Sequence, residues 1–190
     1  MRIVYEYSHM GGQEILQARF PEQLADIHGV IAQVQARRSK PSRAGGTPSR
    51  MLYAPMDMNR QFCDLFRERG YREIRERYII ELPQSDVVIP GAYRQIDLAK
   101  DQVLVEVQFG AYAAMFYDMA KFQRFCDRGQ GQVGVEIAPC HALANEMPSG
   151  VSYGEQLVSD IERLGRRFPT APVYVILIAP DEDETAETTP

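Results

Sequence analysis

The most constraining feature of the sequence is a pair of strand-like segments in the middle of the chain, at residues 94–99 and 102–109. Both are rich in β-branched and apolar residues, and only Lys100-Asp101 separates them, so they predict a hairpin with a tight turn. On the second strand, Glu106 and Gln108 project from the face opposite to the neighbouring valines. A carboxylate on so apolar a strand requires a partner, because burying an unpaired charge is costly.

Asp97 lies on the first strand of this hairpin, and the tight turn brings it beside Glu106 on the second. Two carboxylates at that distance repel each other unless a cation or a shared proton lies between them. Oxygen ligands of this kind suit Mg²⁺, which keeps several waters and can present one of them to a phosphate. A structural salt bridge or a solvated strand face is the alternative interpretation, and the spacing alone does not decide between them.

Strand-like and helix-like segments are mixed along the rest of the chain. The predicted strands outside the hairpin are at 2–7, 78–80, 133–137 and 173–178, and the predicted helices are at 13–18, from Pro21 onwards, and at 56–69, 111–127, 141–146 and 153–168. Pro90-Gly91 predicts a loop before the hairpin. No internal repeat is present, so this order predicts a single α/β domain over residues 1–180, with a central mixed sheet flanked by helices.

Charge and composition exclude several classes of protein. The formal net charge is −5, but residues 181–190 hold five of the 26 acidic residues and no basic one, which leaves residues 1–180 neutral. This polar tail is predicted to be disordered. The chain has no apolar run of the roughly 18 residues that cross a bilayer, no signal-peptide core and only three scattered cysteines. We therefore expect a cytoplasmic protein without a membrane partner.

The segment 37–50 combines positive charge with two prolines and two glycines, and it predicts a mobile, positively charged loop. It contains no acidic residue, and its basic residues are Arg37, Arg38, Lys40, Arg43 and Arg50. A solvated linker is one interpretation of this composition. The other is an arm that contacts the phosphates of a nucleic acid.

The trio Asp97, Glu106 and Gln108 resembles the PD-(D/E)xK nuclease pattern. It is most similar to the BglII and BstYI branch of type II restriction endonucleases, in which Gln replaces the usual Lys. Further segments look like this branch in the same order along the chain, at 1–4 with 7–9, 105–110, 133–139, 146–153 and 178–180. The resemblance covers most of residues 1–180 and is weakest between about 35 and 95.

This resemblance implies a homodimer that cleaves double-stranded DNA at a short palindromic site with Mg²⁺, beside a cognate DNA methyltransferase. A GATC-centred site such as RGATCY is the expected target. Asp97, Glu106 and the backbone carbonyl of Val107 would hold the metal, and Gln108 would orient the attacking water. Because Gln108 lacks the charge of a lysine, the metal and the substrate phosphate must supply more of the activation.

The resemblance also places base contacts at Ala111, with its neighbour Tyr112, and at Ser149. Ala111 departs from the family pattern, because the relatives carry a longer polar residue there and alanine offers only a methyl group. Glu14 is a candidate outer carboxylate of the metal site, and a helix-surface glutamate is the alternative. A catalytically weak DNA-binding relative of the same fold is the alternative function. The intact trio of Asp97, Glu106 and Gln108 favours the active enzyme.

Overall fold

The computed structural model describes residues 1–41 and 50–181. Arg43 and the predicted acidic tail beyond Asp181 lie outside the described residues. No helix in this part of the chain is long and apolar enough to cross a membrane.

The centre of the fold is a mixed six-stranded sheet. The described strands are β1 (Arg2–His9), β2 (Arg38–Pro41), β3 (Met51–Tyr53), β4 (Arg72–Glu81), β5 (Val88–Lys100), β6 (Val103–Val107), β7 (Val133–Pro139) and β8 (Val173–Ala179). In the central sheet the order is β1-β8-β7-β6-β5-β4, with β6, β7 and β8 parallel and the outer pairs antiparallel. The parallel strands are buried almost throughout, as expected for strands that are covered on both faces.

Helices cover this sheet and carry the apolar faces that bury it. They are α1 (Gly12–Arg19), α2 (Pro21–Gln33), α3 (Pro55–Glu68), α4 (Tyr112–Asp127), α5 (His141–Ala144) and α6 (Gly154–Leu164), and a 3₁₀ turn (Gly165–Arg167) follows α6. Proline begins both α2 and α3, where its missing N–H costs no hydrogen bond. The structure thus confirms the α/β class, with a central mixed sheet flanked by helices.

The predicted central hairpin is present, but its turn is one residue later than the sequence suggested. Lys100 pairs with Val103, so Asp101 and Gln102 form the turn, with φ of 49° and 68°. Positive φ at both central residues is typical of the turns whose twist matches that of the flanking strands. The β5–β6 ladder ends with Leu98 opposite Val105, and Asp97 and Glu106 are the next residues of the two strands beyond this pair.

The loop predicted at Pro90-Gly91 is wrong, because both residues lie within β5. This strand forms a long antiparallel pair with β4, in which Ile80 pairs with Ile89 and Tyr78 with Ala92. The register shifts between Tyr78 and Ile80, and Gly91 has a φ of 80°. An irregularity of this kind accommodates proline and a left-handed glycine within a strand pair.

The first part of the basic segment forms a strand, although its composition predicts a loop. Arg38–Pro41 and Met51–Tyr53 pair as the antiparallel strands β2 and β3 of a separate two-stranded sheet. The backbone N–H of Tyr53 also donates a hydrogen bond to the carbonyl of Glu146, at 3.0 Å. The prediction of a loop across the whole of 37–50 is therefore wrong at Arg38–Pro41, which forms β2.

Gly134 sets how closely α4 packs on the sheet. A Cβ atom at this position would lie 2.4 Å from the ring of Phe122, which is fully buried. Such a contact requires the ring, and with it the helix, to move. The glycine of β7 therefore allows the close approach of α4, which carries two polar residues of the site described below.

We expect Gly134→Ala to destabilise the protein by about 1–3 kcal/mol, the usual cost of overpacking a core. Gly29→Ala is the matched control, because it lies inside α2 and its added Cβ has only an arginine nitrogen at 3.9 Å nearby. Helix propensity predicts that this control gains up to about 1 kcal/mol. Urea unfolding of the two variants measures both effects, and equal stability of both would contradict this role of Gly134.

Candidate active site

A buried ion-pair cluster lies where β6 passes beneath α4. Glu106 on β6 is 4% exposed, and its Oε1 is 2.6 Å from the Nζ of Lys121 on α4. The same ammonium is 2.7 Å from Oδ1 of Asp118, which is 2% exposed. Asp118 and Lys121 are three residues apart, a spacing that places both on one face of the helix. A single lysine thus forms ion pairs with two buried carboxyl groups that come from different elements.

Gln108 joins this cluster through its side-chain amide. Its Nε2 donates to Oδ2 of Asp118 at 3.0 Å, and its Oε1 accepts the backbone N–H of Gly110 at 2.9 Å. A Cβ atom at position 110 would lie 2.6 Å from that same Oε1, so a larger residue there would shift the amide of Gln108 from this position. The amide of Gln108 is therefore held at both ends, just beyond the last residue of β6.

Asp97 lies at the exposed side of this cluster. Its Oδ1 accepts a hydrogen bond from Nε2 of Gln95 at 2.8 Å, and Gln95 in turn accepts one from Arg75 at 2.7 Å. The charge of Asp97 contributes to raising the pKa of both Glu106 and Asp118, after the larger effect of their burial. Asp97, Glu106 and Gln108, predicted together from the sequence, are therefore brought together by the fold.

Glu136 is a fourth acidic residue of the region. It lies on β7 directly beside Glu106 in the parallel register, and it is fully buried. Neither carboxylate oxygen has a hydrogen-bond partner. Burial, and then the charges of Asp118 and Glu106, raise the pKa of Glu136 well above its ordinary value. We call Asp97, Glu106, Asp118 and Glu136 the carboxylate cluster.

Opposing effects set the protonation of the ion pair within the carboxylate cluster. Burial raises the pKa of Glu106, and the ammonium of Lys121 acts in the opposite direction. For Lys121 burial acts to lower the pKa, but Glu106 and Asp118 outweigh it and the pKa is raised. Lys121 therefore keeps its proton, and the carboxylate cluster retains an excess of acidic groups over its cation.

The donor atoms of the carboxylate cluster suit a hard divalent cation. Among residues 1–41 and 50–181, no group of three or more His, Cys, Asp and Glu side chains is arranged to hold a metal ion. Mg²⁺ needs no such cage, since proteins usually bind it through one or two carboxylates and leave the other positions to water and substrate phosphates. The pair Asp97 and Glu106, with the unpartnered oxygens of Glu136 beside it, fits an open site of that kind.

Two loops at this end of the sheet carry the residues proposed to contact bases. Ala111 is exposed immediately before α4, and Ser149 is exposed in the turn between α5 and α6. A hydrogen bond of 2.9 Å from the N–H of Ser152 to the carbonyl of Gly110 joins the two loops. Tyr112 differs from these two residues, because its hydroxyl is bonded to Asp160 on α6. The fold therefore brings Ala111 and Ser149 to one edge, close to Gln108.

The basic residues of the segment 37–50 divide into two groups. Arg38 is 2.6 Å from Glu146 and lies over the ring of Tyr53, and Arg50 pairs with the same glutamate. Their charge is already partly balanced within the protein. Arg37 and Lys40 are exposed, and within residues 1–41 and 50–181 the guanidinium of Arg37 bonds a neutral side chain, that of Gln35.

Glu14, the candidate outer carboxylate, lies in another part of the fold. It is on α1 beside β1, and its carboxylate accepts a hydrogen bond from Ser8, which lowers its pKa. In the sheet, β8 and β7 separate β1 from β6. The structure does not bring Glu14 to Asp97 and Glu106 through any contact of the described residues.

Sequence reasoning missed three residues of this region, namely Asp118, Lys121 and Glu136. For Glu136 and Asp118, the sequence does contain a pattern that could have identified them. Glu136 interrupts an apolar strand as Glu106 does, and Asp118 lies within the predicted apolar stripe of α4, next to Met119. The requirement that a buried carboxylate have a partner applies to both residues. Lys121 carries no such signal, because lysines on amphipathic helices usually face solvent.

The mixed sheet, with an aspartate, a tight turn and Glu-x-Gln on the next strand, defines the class of PD-(D/E)xK nucleases. The family model described as restriction endonuclease BglII/BglIII matches residues 4–178. The chain therefore belongs to the BglII family of restriction endonucleases and is a type II site-specific deoxyribonuclease.

Solved structures of this family show the same fold. A crystal structure of restriction endonuclease BglII complexed with a DNA 16-mer matches with a TM-score of 0.73 and 18% identity, over 95% of this chain and 79% of the other. A crystal structure of free BglII matches with a TM-score of 0.67 and 17% identity, over 95% and 81% of the two chains. No curated protein sequence matches the chain.

Proposed function

We propose that this enzyme cleaves both strands of DNA at a short palindromic site in a reaction that depends on Mg²⁺. The observation that supports it is the meeting of Asp97, Glu106 and Gln108 within a cluster that holds more carboxylates than cations. Such an excess is stable only where a further cation can enter or a proton is shared. A metal bound there would polarise the scissile phosphate and lower the pKa of a water molecule.

Each residue of the trio has a distinct role in this proposal. Asp97 and Glu106, with the carbonyl of Val107 at the end of β6, would hold the metal. The amide of Gln108, fixed by Asp118 and Gly110, would orient the water whose oxygen attacks phosphorus while the phosphodiester P–O bond breaks. Gln108 carries no charge, and the Lys121 ammonium is the positive group that the fold supplies nearby.

Nicking of supercoiled plasmid tests the chemistry directly. The enzyme should convert the plasmid to linear DNA in Mg²⁺ and leave it intact in EDTA. A protein that retards DNA in gels but never nicks it would instead be a catalytically weak binding relative.

Sequencing the cut ends identifies the target, for which a GATC-centred site such as RGATCY is proposed. Sequence is read by base-edge contacts, and Ala111 and Ser149 are the proposed contacts, with Tyr112 positioning the loop between β6 and α4.

A double-strand break at a palindrome requires two active sites, and we propose that a two-fold symmetric homodimer supplies them. We expect light scattering to give twice the chain mass of 21.6 kDa. A monomer that still cuts both strands, with first-order dependence on protein, would contradict this. A sequence-specific nuclease would also cut the DNA of its own cell, so a methyltransferase that modifies the same site is the proposed second partner.

The basic segment is proposed to contact DNA phosphates through Arg37 and Lys40, which make no ion pair with any other described residue, and through Arg43. Each phosphate contact contributes about −0.9 to the slope of log K against log salt concentration. We expect the triple alanine variant to flatten this slope by roughly two to three units without changing the preferred sequence. Binding titrations at several salt concentrations measure both quantities.

The matched control for this variant is the double alanine replacement of Arg60 and Arg67, which are exposed on α3 and paired with aspartates of the same helix. Its slope should equal that of the unchanged enzyme. An unchanged slope in the triple variant would make the segment a linker, and an altered target preference would mean that it contacts bases.

A further inference from the structure

The carboxylate proposed to bind the metal is already bonded to a cation of the protein. Oε1 of Glu106 is 2.6 Å from the ammonium of Lys121, whose side chain is 13% exposed. A metal ion and an ammonium cannot occupy the same side of one carboxylate oxygen. Metal binding at that oxygen of Glu106 therefore competes with Lys121, and an ammonium that is displaced must find another anion, because an unpaired buried charge is costly.

Glu136 offers a carboxyl group on the next strand, which an arriving ammonium would hold in its ionised form. It is adjacent to Glu106 in the register of β6 and β7, it is fully buried, and neither of its oxygens has a partner. Burial raises the pKa of Glu136, and the charge of Lys121 opposes that rise. An unpartnered buried carboxylate is rare in a folded protein and requires an explanation.

We propose that Lys121 is a resident counterion of the active site, which releases Glu106 to the metal ion and is received by Glu136. This inference rests on the proposed metal-dependent function. Asp118 serves as the pivot, since it bonds Lys121 at 2.7 Å and lies three residues away on the same helix. The four-carbon stem of lysine allows its ammonium to exchange partners without movement of the helix.

Two consequences follow for metal binding. Competition from Lys121 weakens the affinity of Glu106 for the metal, because the ion pair must be broken first. Glu136 offsets part of that cost, because it gives the displaced ammonium a new partner. Both residues are positioning residues in this scheme, and the two effects are coupled, since Glu136 can receive the ammonium only when Lys121 is present.

Binding of Mn²⁺ in the absence of DNA tests the proposal, with the free ion measured by its electron paramagnetic resonance signal and Mg²⁺ added as a competitor. The variants are Lys121→Gln, Glu136→Gln, the double variant and Lys121→Arg. Lys100→Gln is the matched control, because Lys100 also makes a 2.8 Å ion pair, with Asp26 at the other end of β6. Thermal unfolding verifies that each variant is folded.

We expect Lys121→Gln to bind Mn²⁺ about tenfold more tightly and Glu136→Gln several-fold more weakly, with Lys100→Gln unchanged. In the Lys121→Gln background the effect of Glu136→Gln should largely disappear. If Lys121→Gln does not fold, Lys121→Arg still tests the proposal, because its fork holds carboxylates more firmly and should weaken Mn²⁺ binding. An unchanged or lower affinity in folded Lys121→Gln, or an equal effect of Glu136→Gln in both backgrounds, would overturn it.

Failure of this inference is distinguishable from failure of the proposed function. If the unchanged enzyme nicks plasmid in Mg²⁺ and Asp97→Ala abolishes Mn²⁺ binding, the metal site stands, and additive effects at Lys121 and Glu136 reject the counterion exchange alone. If neither the enzyme nor any variant binds Mn²⁺ or nicks DNA, both proposals fail.

Discussion

Replacing either Asp97 or Glu106 with alanine is expected to abolish DNA cleavage while leaving DNA binding largely intact. These carboxylates are proposed to hold the metal and not to contact bases, so their loss removes the charge stabilisation that a metal supplies at the phosphate. That stabilisation is worth several kcal/mol, and each 1.4 kcal/mol is about a factor of ten in rate, so a fall of about a thousandfold or more is expected. Plasmid cleavage and gel retardation measure the two properties.

Asp86→Ala is the control for this experiment, because Asp86 is exposed in the connection between β4 and β5. It removes a carboxylate without touching the carboxylate cluster and should cut at the normal rate. Removing negative charge near the phosphates should leave DNA affinity equal or raise it slightly. Full cleavage by either Asp97→Ala or Glu106→Ala in Mg²⁺ would exclude the proposed metal site.

Glu136→Gln is expected to stabilise the folded protein at neutral and alkaline pH. The carboxyl is fully buried without a partner, and its pKa in the folded state is raised well above the ordinary value of 4.5. A raised pKa means that folding favours the protonated form of an acid. The folded enzyme therefore loses stability as the pH rises from 4.5 towards the folded-state pKa, and glutamine, which does not titrate, avoids that loss.

The advantage of the variant should increase by up to about 1.4 kcal/mol per pH unit between pH 5 and 7 and be small near pH 4.5. Urea unfolding at several pH values measures it. Glu81→Gln, on the exposed end of β4, is the control and should change stability by less than about 0.5 kcal/mol. A gain that does not depend on pH would show that Glu136 is paired or exposed in solution.

Local patterns in the sequence predicted most of the strands and helices of the fold. The apolar, β-branched segments at 133–137 and 173–178 predicted strands because only a sheet buried on both faces accommodates them. The spacing of Met115, Met119 and Phe122 predicted the buried face of α4, which the structure confirms. The predictions failed at Pro90-Gly91 and at Arg38–Pro41, where antiparallel pairing with the neighbouring strand overrides the preference of proline and glycine for turns.

The candidate site likewise contains some residues that local sequence patterns predict and others that only the tertiary structure brings in. A short turn joins the two strands that carry Asp97, Glu106 and Gln108, so their proximity follows from local spacing and was predictable. Lys121 and Glu136 reach the same place only because β7 aligns with β6 and because Gly134 lets α4 approach the sheet. Such contacts depend on parallel pairing and helix packing between segments well separated in the chain, which no local pattern encodes. The sequence by itself therefore determined the grouping of Asp97, Glu106 and Gln108, the proposed catalytic trio, and the tertiary structure decided which charges surround it.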